Sequence, residues 1–133
     1  MIEKIGYPKK EMFIWGDEMN YEQRCLMAGY YPIIIIKAIH LHPKNRRVNL
    51  PTWGGRRIAV PNEDWKLYCF IRNKVFNVYI TNNKYQLIMR ALLEFFDYTY
   101  YFIQHRTMNR MKFLLIAIKD GLVGDLTTSR KFI

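Results

Sequence analysis

Helical patterning recurs over four stretches of this chain, and each stretch is bounded by residues that start or stop helices. The first begins at Asp17, a good N-cap residue, with Glu18 adding negative charge to the first turn and Ala28-Gly29 as the stop, which predicts about three turns of helix. Pro61-Asn62-Glu63-Asp64 opens the second, with Trp65, Tyr68, Cys69, Arg72, Val75, Phe76 and Tyr79 on its periodic positions. Asn82-Asn83 interrupts the pattern. It resumes from about Lys84 to Gln104 with Tyr85, Ile88, Met89, Leu92, Leu93, Phe96, Tyr100 and Ile103 as a broad apolar face. A last helix is expected from Met108 to Lys119, ending at Asp120-Gly121.

Two segments break this helical rhythm. Tyr30 to Ile39 holds four consecutive isoleucines between Pro32 and Lys37, which suits a strand buried on both faces. Residues 43 to 60 contain Pro43, Pro51, Gly54 and Gly55 among bases and predict a long loop. The first dozen residues have no periodicity and read as loop, and the tail beyond Gly124 is polar and expected to fray. The fold class that follows is mostly α with a short β element.

At 133 residues, half of them apolar, the chain can bury one ordinary core. Its formal charge of +10 is concentrated in the middle, where Lys37, Lys44, Arg46, Arg47, Arg56, Arg57, Lys66, Arg72 and Lys74 are accompanied only by Glu63 and Asp64. Such a field attracts phosphate groups, whether of nucleic acid, anionic lipid or a nucleotide-linked substrate. Cys25 and Cys69 have neither metal-ligand spacing nor a disulfide framework, and a reducing compartment fits them best. No apolar run approaches the roughly 20 residues that span a bilayer, and the N-terminus does not read as a signal peptide.

If the chain reverses at Gly29, a strand over residues 33–40 returns His40 or His42 towards Asp17 and Glu18. Carboxylates beside imidazole suit acid–base work or a divalent cation. From spacing alone, an acidic pair at a helix start is more often a helix-dipole cap, and His-x-His more often an exposed strand end than a ligand set.

The string Phe13-Ile14-Trp15-Gly16-Asp17-Glu18-Met19-Asn20-Tyr21, then Arg24, Ala28-Gly29-Tyr30 and Ala38-Ile39-His40-Leu41-His42-Pro43, resembles the later catalytic segment of family 2 glycosyltransferases. The rhamnosyl- and galactofuranosyltransferase-like branch, of bacterial cell-envelope polysaccharide biosynthesis, is the most similar, and Tyr68-Cys69-Phe70-Ile71-Arg72-Asn73-Lys74 resembles its aromatic stretch ending in Arg-Asn. The resemblance implies that residues 1–60 are the C-terminal helix-strand remnant of a GT-A α/β catalytic domain and that residues 61–133 are a helical extension of about three helices.

It further implies an inverting, metal-dependent transferase that moves a sugar from a nucleotide-sugar donor to a glycan or lipid-linked acceptor. Glu18 falls on the general base, and Asp17 on the acidic residue before it. His42 falls on the ligand of a divalent metal, Mn or Mg, with His40 the second candidate. Trp15 and Arg24 lie in the matching string as substrate-binding positions. Asn20 stands where another acidic residue is expected. The composition of the basic loop leaves two readings equally open: a mobile lid in which Trp53 stacks on a sugar while Arg56 and Arg57 meet a diphosphate, and a solvated flexible loop.

The chain has no Asp-x-Asp motif and no nucleotide-binding first strand. It is therefore expected to be an inactive fragment by itself, with Met1 marking a cut or a mis-assigned start. A cytoplasmic location at the inner face of the membrane, peripheral membrane association and homo-oligomerisation are the accompanying expectations, with nucleic acid the disfavoured partner. The alternative reading is a basic helical module that binds nucleic acid or an anionic membrane surface, or an oligomerisation domain.

Overall fold

A computed structural model describes residues 2–33, 35–39, 41 and 49–127, the side chains of Asn49 and Trp53 aside. Its helices are α1 (Ile2–Ile5), α2 (Asp17–Met27), α3 (Asp64–Tyr79), α4 (Lys84–Gln104) and α5 (Met111–Val123). Two short strands, β1 (Asn49–Pro51) and β2 (Arg57–Ala59), pair antiparallel with Leu50 opposite Ile58, and single 3-10 turns lie at Lys10–Met12, Trp53–Gly55 and Met108–Arg110. The protein is mostly α with a short β element.

The centre is α3. Leu67, Tyr68, Cys69 and Ile71 on this helix, Tyr98 and Phe102 on α4, Leu114 and Ala117 on α5 and Ile58 on β2 form the main core, all buried. Fully burying an aliphatic or aromatic side chain of this size is worth about 1.5–3 kcal/mol. Close approach of α3 to α5 depends on Gly121, where a Cβ would lie 2.7 Å from that of Val75 and 2.9 Å from the Arg72 carbonyl. Thus α5 runs through Asp120-Gly121, where the sequence predicted its end. It stops at Gly124, whose φ of 75° is the left-handed cap, and its first residue is Met111, after the 3-10 turn.

α4 begins where expected because the Asn83 side chain accepts from the Gln86 amide, 3.0 Å. Its burial is the reverse of the expected pattern. The core face consists of Ala91, Glu94, Asp97, Tyr98 and Phe102, whereas Tyr85, Ile88, Met89, Leu92, Phe96 and Ile103 are exposed. Glu94 and Asp97 tolerate burial because cations meet them: Lys74 Nζ is 3.2 Å from both Glu94 oxygens, Arg90 reaches Glu94 at 3.3 Å, and Arg56 pairs with Asp97. These acids thus pair with two of the nine basic residues in the middle of the sequence, Lys74 and Arg56.

The stretch expected to be a strand buried on both faces is neither. Among the described residues of 30–41 there is no strand, a turn falls at Ile36-Lys37, and Ile33, Ile35, Ile36 and Ile39 are exposed. Such a strand needs neighbours on each edge, and the pairing described in this chain is the β1–β2 hairpin. That hairpin lies within the predicted loop 43–60; Tyr98 Oη donates to the Ala59 carbonyl at 2.7 Å and holds it on α4. Nor are the first dozen residues simple loop, since Met12 is fully buried against Phe76 and Leu126.

Candidate functional site

Residues 12–16 lead into α2 through an unfavourable backbone. Phe13, Trp15 and Gly16 have φ of 63°, 59° and 88°. Positive φ at a bulky residue costs on the order of 1–3 kcal/mol and persists only where surrounding contacts impose it. Those contacts come from α3. Asn73 Nδ2 lies 2.9, 3.0 and 2.7 Å from the carbonyl oxygens of Met12, Ile14 and Trp15, and Asn77 Nδ2 donates to the Gly16 carbonyl at 2.9 Å. Arg72, fully buried, orients Asn73 by donating to its Oδ1 from Nε and Nη2, and also donates to the carbonyls of Glu11, Met12 and Leu126.

The N-cap of α2 is therefore Gly16 rather than Asp17, so the helix starts without a side-chain cap. Asp17 and Glu18 occupy the first turn, Asp17 half-buried and Glu18 exposed. Carboxylates there face the positive end of the helix dipole. Asn20, at the position expected to be acidic, is fully buried and donates to Asn77 Oδ1 at 3.2 Å. It helps to seat α2 on α3.

Glu18 stands on the rim shared by two grooves. One, of about 560 Å³, is lined by Asp17, Glu18, Glu22, Cys25 and the aromatic side chains of Tyr21, Tyr30 and Tyr31. The other, of about 310 Å³, has Glu18, Glu22, Met19 and Gly16 on one side and Trp15, Phe70, Lys74 and Asn77 on the other. Trp15 and Phe70 meet edge to face with centroids 5.6 Å apart, and Lys74 Nζ is 4.5 Å from the Phe70 centroid while paired to Glu94. An aromatic wall, a carboxylate, an ammonium and a side-chain amide thus surround one cleft. The rings can stack on the C–H face of a polyol and the exposed Glu18 carboxylate can accept from its hydroxyls, while Lys74 is engaged with Glu94 and Asn77 with Gly16 and Asn20.

The remaining sequence-predicted positions are dispersed. Arg24 donates to the carbonyls of Ile5 at 2.6 Å and Tyr7 at 2.8 Å and to Asn20 Oδ1 at 3.1 Å, so it ties the N-terminal turn to α2. Arg56 and Arg57 line neither groove: Arg56 is held by Asp97, and Arg57 is exposed on β2. The Trp53 side chain, His40 and His42 lie outside the described residues, so the expected histidine ligands of Mn or Mg are not placed. Among the described residues, no three His, Cys, Asp or Glu side chains converge as a metal cage would require.

Sequence reasoning missed the asparagines. Asn73 and Asn77 are four apart, on the same face as the buried Cys69 and Phe76. Polar residues on the apolar face of a helix were the available signal.

Cys25 and Cys69 are unpaired thiols, and burial raises the Cys69 pKa. Among the described residues, no helix is long and apolar enough to cross a membrane. No family model matches the chain, and neither a characterised protein nor a solved structure matches it.

Proposed function

We propose that this chain forms the acceptor side of an inverting sugar-transfer site of the family 2 glycosyltransferase kind, with Glu18 as the general base. The observation that supports this reading is the position of Glu18: exposed, at the N-terminus of α2, on the rim of a cleft walled by Trp15 and Phe70. In this reading the Glu18 carboxylate takes the proton of an acceptor hydroxyl as its oxygen attacks the donor's anomeric carbon. The bond from that carbon to the diphosphate breaks, the nucleoside diphosphate leaves, and the anomeric configuration inverts. Trp15 and Phe70 hold the acceptor ring, and Asp17 shapes the groove beside it. In this reading His42 or His40 would hold a divalent metal, which would neutralise the donor diphosphate, and other parts of the donor site would come from residues outside this chain.

The test is sugar transfer from nucleotide-sugar donors by the longest reading frame that contains this chain. Glu18→Gln is expected to lower kcat by roughly 10²–10⁴-fold with donor affinity nearly unchanged, since only proton abstraction is lost. Undiminished turnover in that variant removes Glu18 from the mechanism. An upstream stop codon, with no nucleotide-sugar-binding region encoded nearby, removes the reading itself.

For the rival module that binds nucleic acid or an anionic membrane, Lys37 and Arg57 are exposed, Lys44, Arg46 and Arg47 lie outside the described residues, and the other four cations of the middle are engaged within the chain. Arg56, Lys66 and Lys74 are paired with Asp97, Glu63 and Glu94, and Arg72 is buried.

A further inference from the structure

α4 is amphipathic in the inverted sense. Its four charged residues are Lys84 at the first position, Arg90, Glu94 and Asp97, and the last three are joined in ion pairs on or beside the face turned to the protein. The outward face carries none. There Tyr85, Ile88, Leu92, Phe96 and Ile103 are between 43 and 74 % exposed, with Tyr100 half-buried beside them. At 3.6 residues per turn, these six fall within about 120° of arc and run for roughly 27 Å.

The order of residues in this stripe is self-complementary. About its midpoint, at the level of Glu94, Tyr85 mirrors Ile103, Ile88 mirrors Tyr100, and Leu92 mirrors Phe96. A two-fold axis through that level would set two α4 helices antiparallel and place an aromatic ring against an aliphatic side chain in every pair. Lys84 of each copy would lie beside the carbonyl end of the other helix, the favourable sense of the helix dipole.

The area also suffices. At roughly 200 Å² for a fully exposed large side chain, the exposed fractions amount to on the order of 600–700 Å² per copy, near the ~800 Å² per partner of a standard interface. A lipid surface fits less well. Helices that lie in a bilayer interface carry lysines and arginines along their polar face, whereas on α4 Arg90 is tied to Glu94 and Lys84 stands at one end.

We infer that α4 is a homodimer interface, packed antiparallel on the α4 of a second copy of this chain about an axis at the level of Glu94. The inference is independent of the sugar-transfer reading.

Sedimentation equilibrium of the whole chain should give a dimer with a dissociation constant of roughly micromolar order or tighter. Phe96→Glu or Leu92→Glu should give a monomer with an unchanged helical circular dichroism spectrum. Orientation is read by thiol cross-linking. A mixture of Ile88→Cys and Tyr100→Cys copies should form a disulfide-linked heterodimer, and neither variant alone should link to itself, because antiparallel packing separates like positions by about 18 Å. A wild-type monomer overturns the inference, as does a dimer that survives both Glu substitutions. Self-linking of Ile88→Cys, the mark of parallel packing, also overturns it. A wild-type monomer that sediments with phosphatidylserine vesicles would assign the stripe to lipid instead.

Discussion

Asn73 Nδ2 and the carbonyl oxygen of Trp15 are 2.7 Å apart, and this contact links the middle of α3 to the turn that presents Glu18. The same amide nitrogen reaches the Met12 and Ile14 carbonyls, so one side chain satisfies a left-handed stretch of backbone that would otherwise be disfavoured.

Asn73→Ala leaves these carbonyls and the Arg72 guanidinium without their shared partner. We expect a loss of about 3 kcal/mol in urea unfolding, from the cost of stranding buried polar groups. Asn73→Asp should be no better, since a carboxylate cannot donate to carbonyls. A loss under 0.5 kcal/mol, on the scale of ordinary surface changes, would show that the backbone of residues 13–16 holds its shape unaided.

Arg56 and Arg57 are neighbours in sequence with different roles in stability. Arg56→Ala strands the buried Asp97 carboxylate, 6 % exposed in its side chain, and should cost about 2 kcal/mol, below the range for fully buried pairs because Arg56 itself is partly exposed. Arg57→Ala should fall within about 0.5 kcal/mol of wild type. Equal effects in thermal unfolding would mean that the Asp97 pair does not contribute.

Gly121→Ala sets two effects against each other. Helix propensity favours alanine by about 1 kcal/mol, whereas a Cβ 2.7 Å from that of Val75 and 2.9 Å from the Arg72 carbonyl forces α3 and α5 apart at about 1–3 kcal/mol or more. Net destabilisation is expected. Val75→Ala should not rescue it, because the Val75 Cβ position and the Arg72 carbonyl both remain.

Alkaline conditions should weaken the fold. Burial, with the hydrogen bond to Asp120, holds the Tyr68 phenol well above its ordinary pKa; burial, with the nearby Glu94 and Asp97 charges, does so for Tyr98, and burial for Cys69. Groups with raised folded pKa values contribute fully below their unfolded values and lose that contribution as pH rises towards the folded ones. These three therefore leave stability flat near neutrality and lower it above about pH 9. Urea midpoints from pH 7 to 11 should follow this course, with a shallower alkaline fall in Tyr98→Phe.

The starts of α2, α3 and α4 were legible in the sequence because local chemistry fixes them, through the carboxylates of α2, Pro61 through Asp64, and Asn83. Both ends of α5, by contrast, lie three or four residues beyond where the sequence placed them. Which side of α4 faces inward was not legible, because the partners that make Glu94 and Asp97 tolerable inside lie 20 and 41 residues away, at Lys74 and Arg56. Periodicity therefore selected the more apolar side, which is the outer one. Three-residue strands are too short to show an alternation, so the hairpin read as loop. Of the candidate site, the Trp15–Glu18 string was readable through its resemblance, while the role of the asparagines that hold it was not. Their function is visible only when residues about sixty apart are brought together.

The same arrangement bears on the order in which the fold opens. Asn73 joins partners 58 to 61 positions distant, and Arg72 adds the Leu126 carbonyl, 54 residues on in the other direction. Sequence separation alone does not rank these contacts, since Tyr68 and Asp120 join α3 to α5 across 52 residues. Yet α2 adds no residue to the two buried clusters, whereas α3 and α5 share the main one. The α3–α5 assembly can therefore persist while residues 11–27 detach. Amide exchange should report this as a sub-global opening, in which protons of α2 are released at a lower free energy than those of α3.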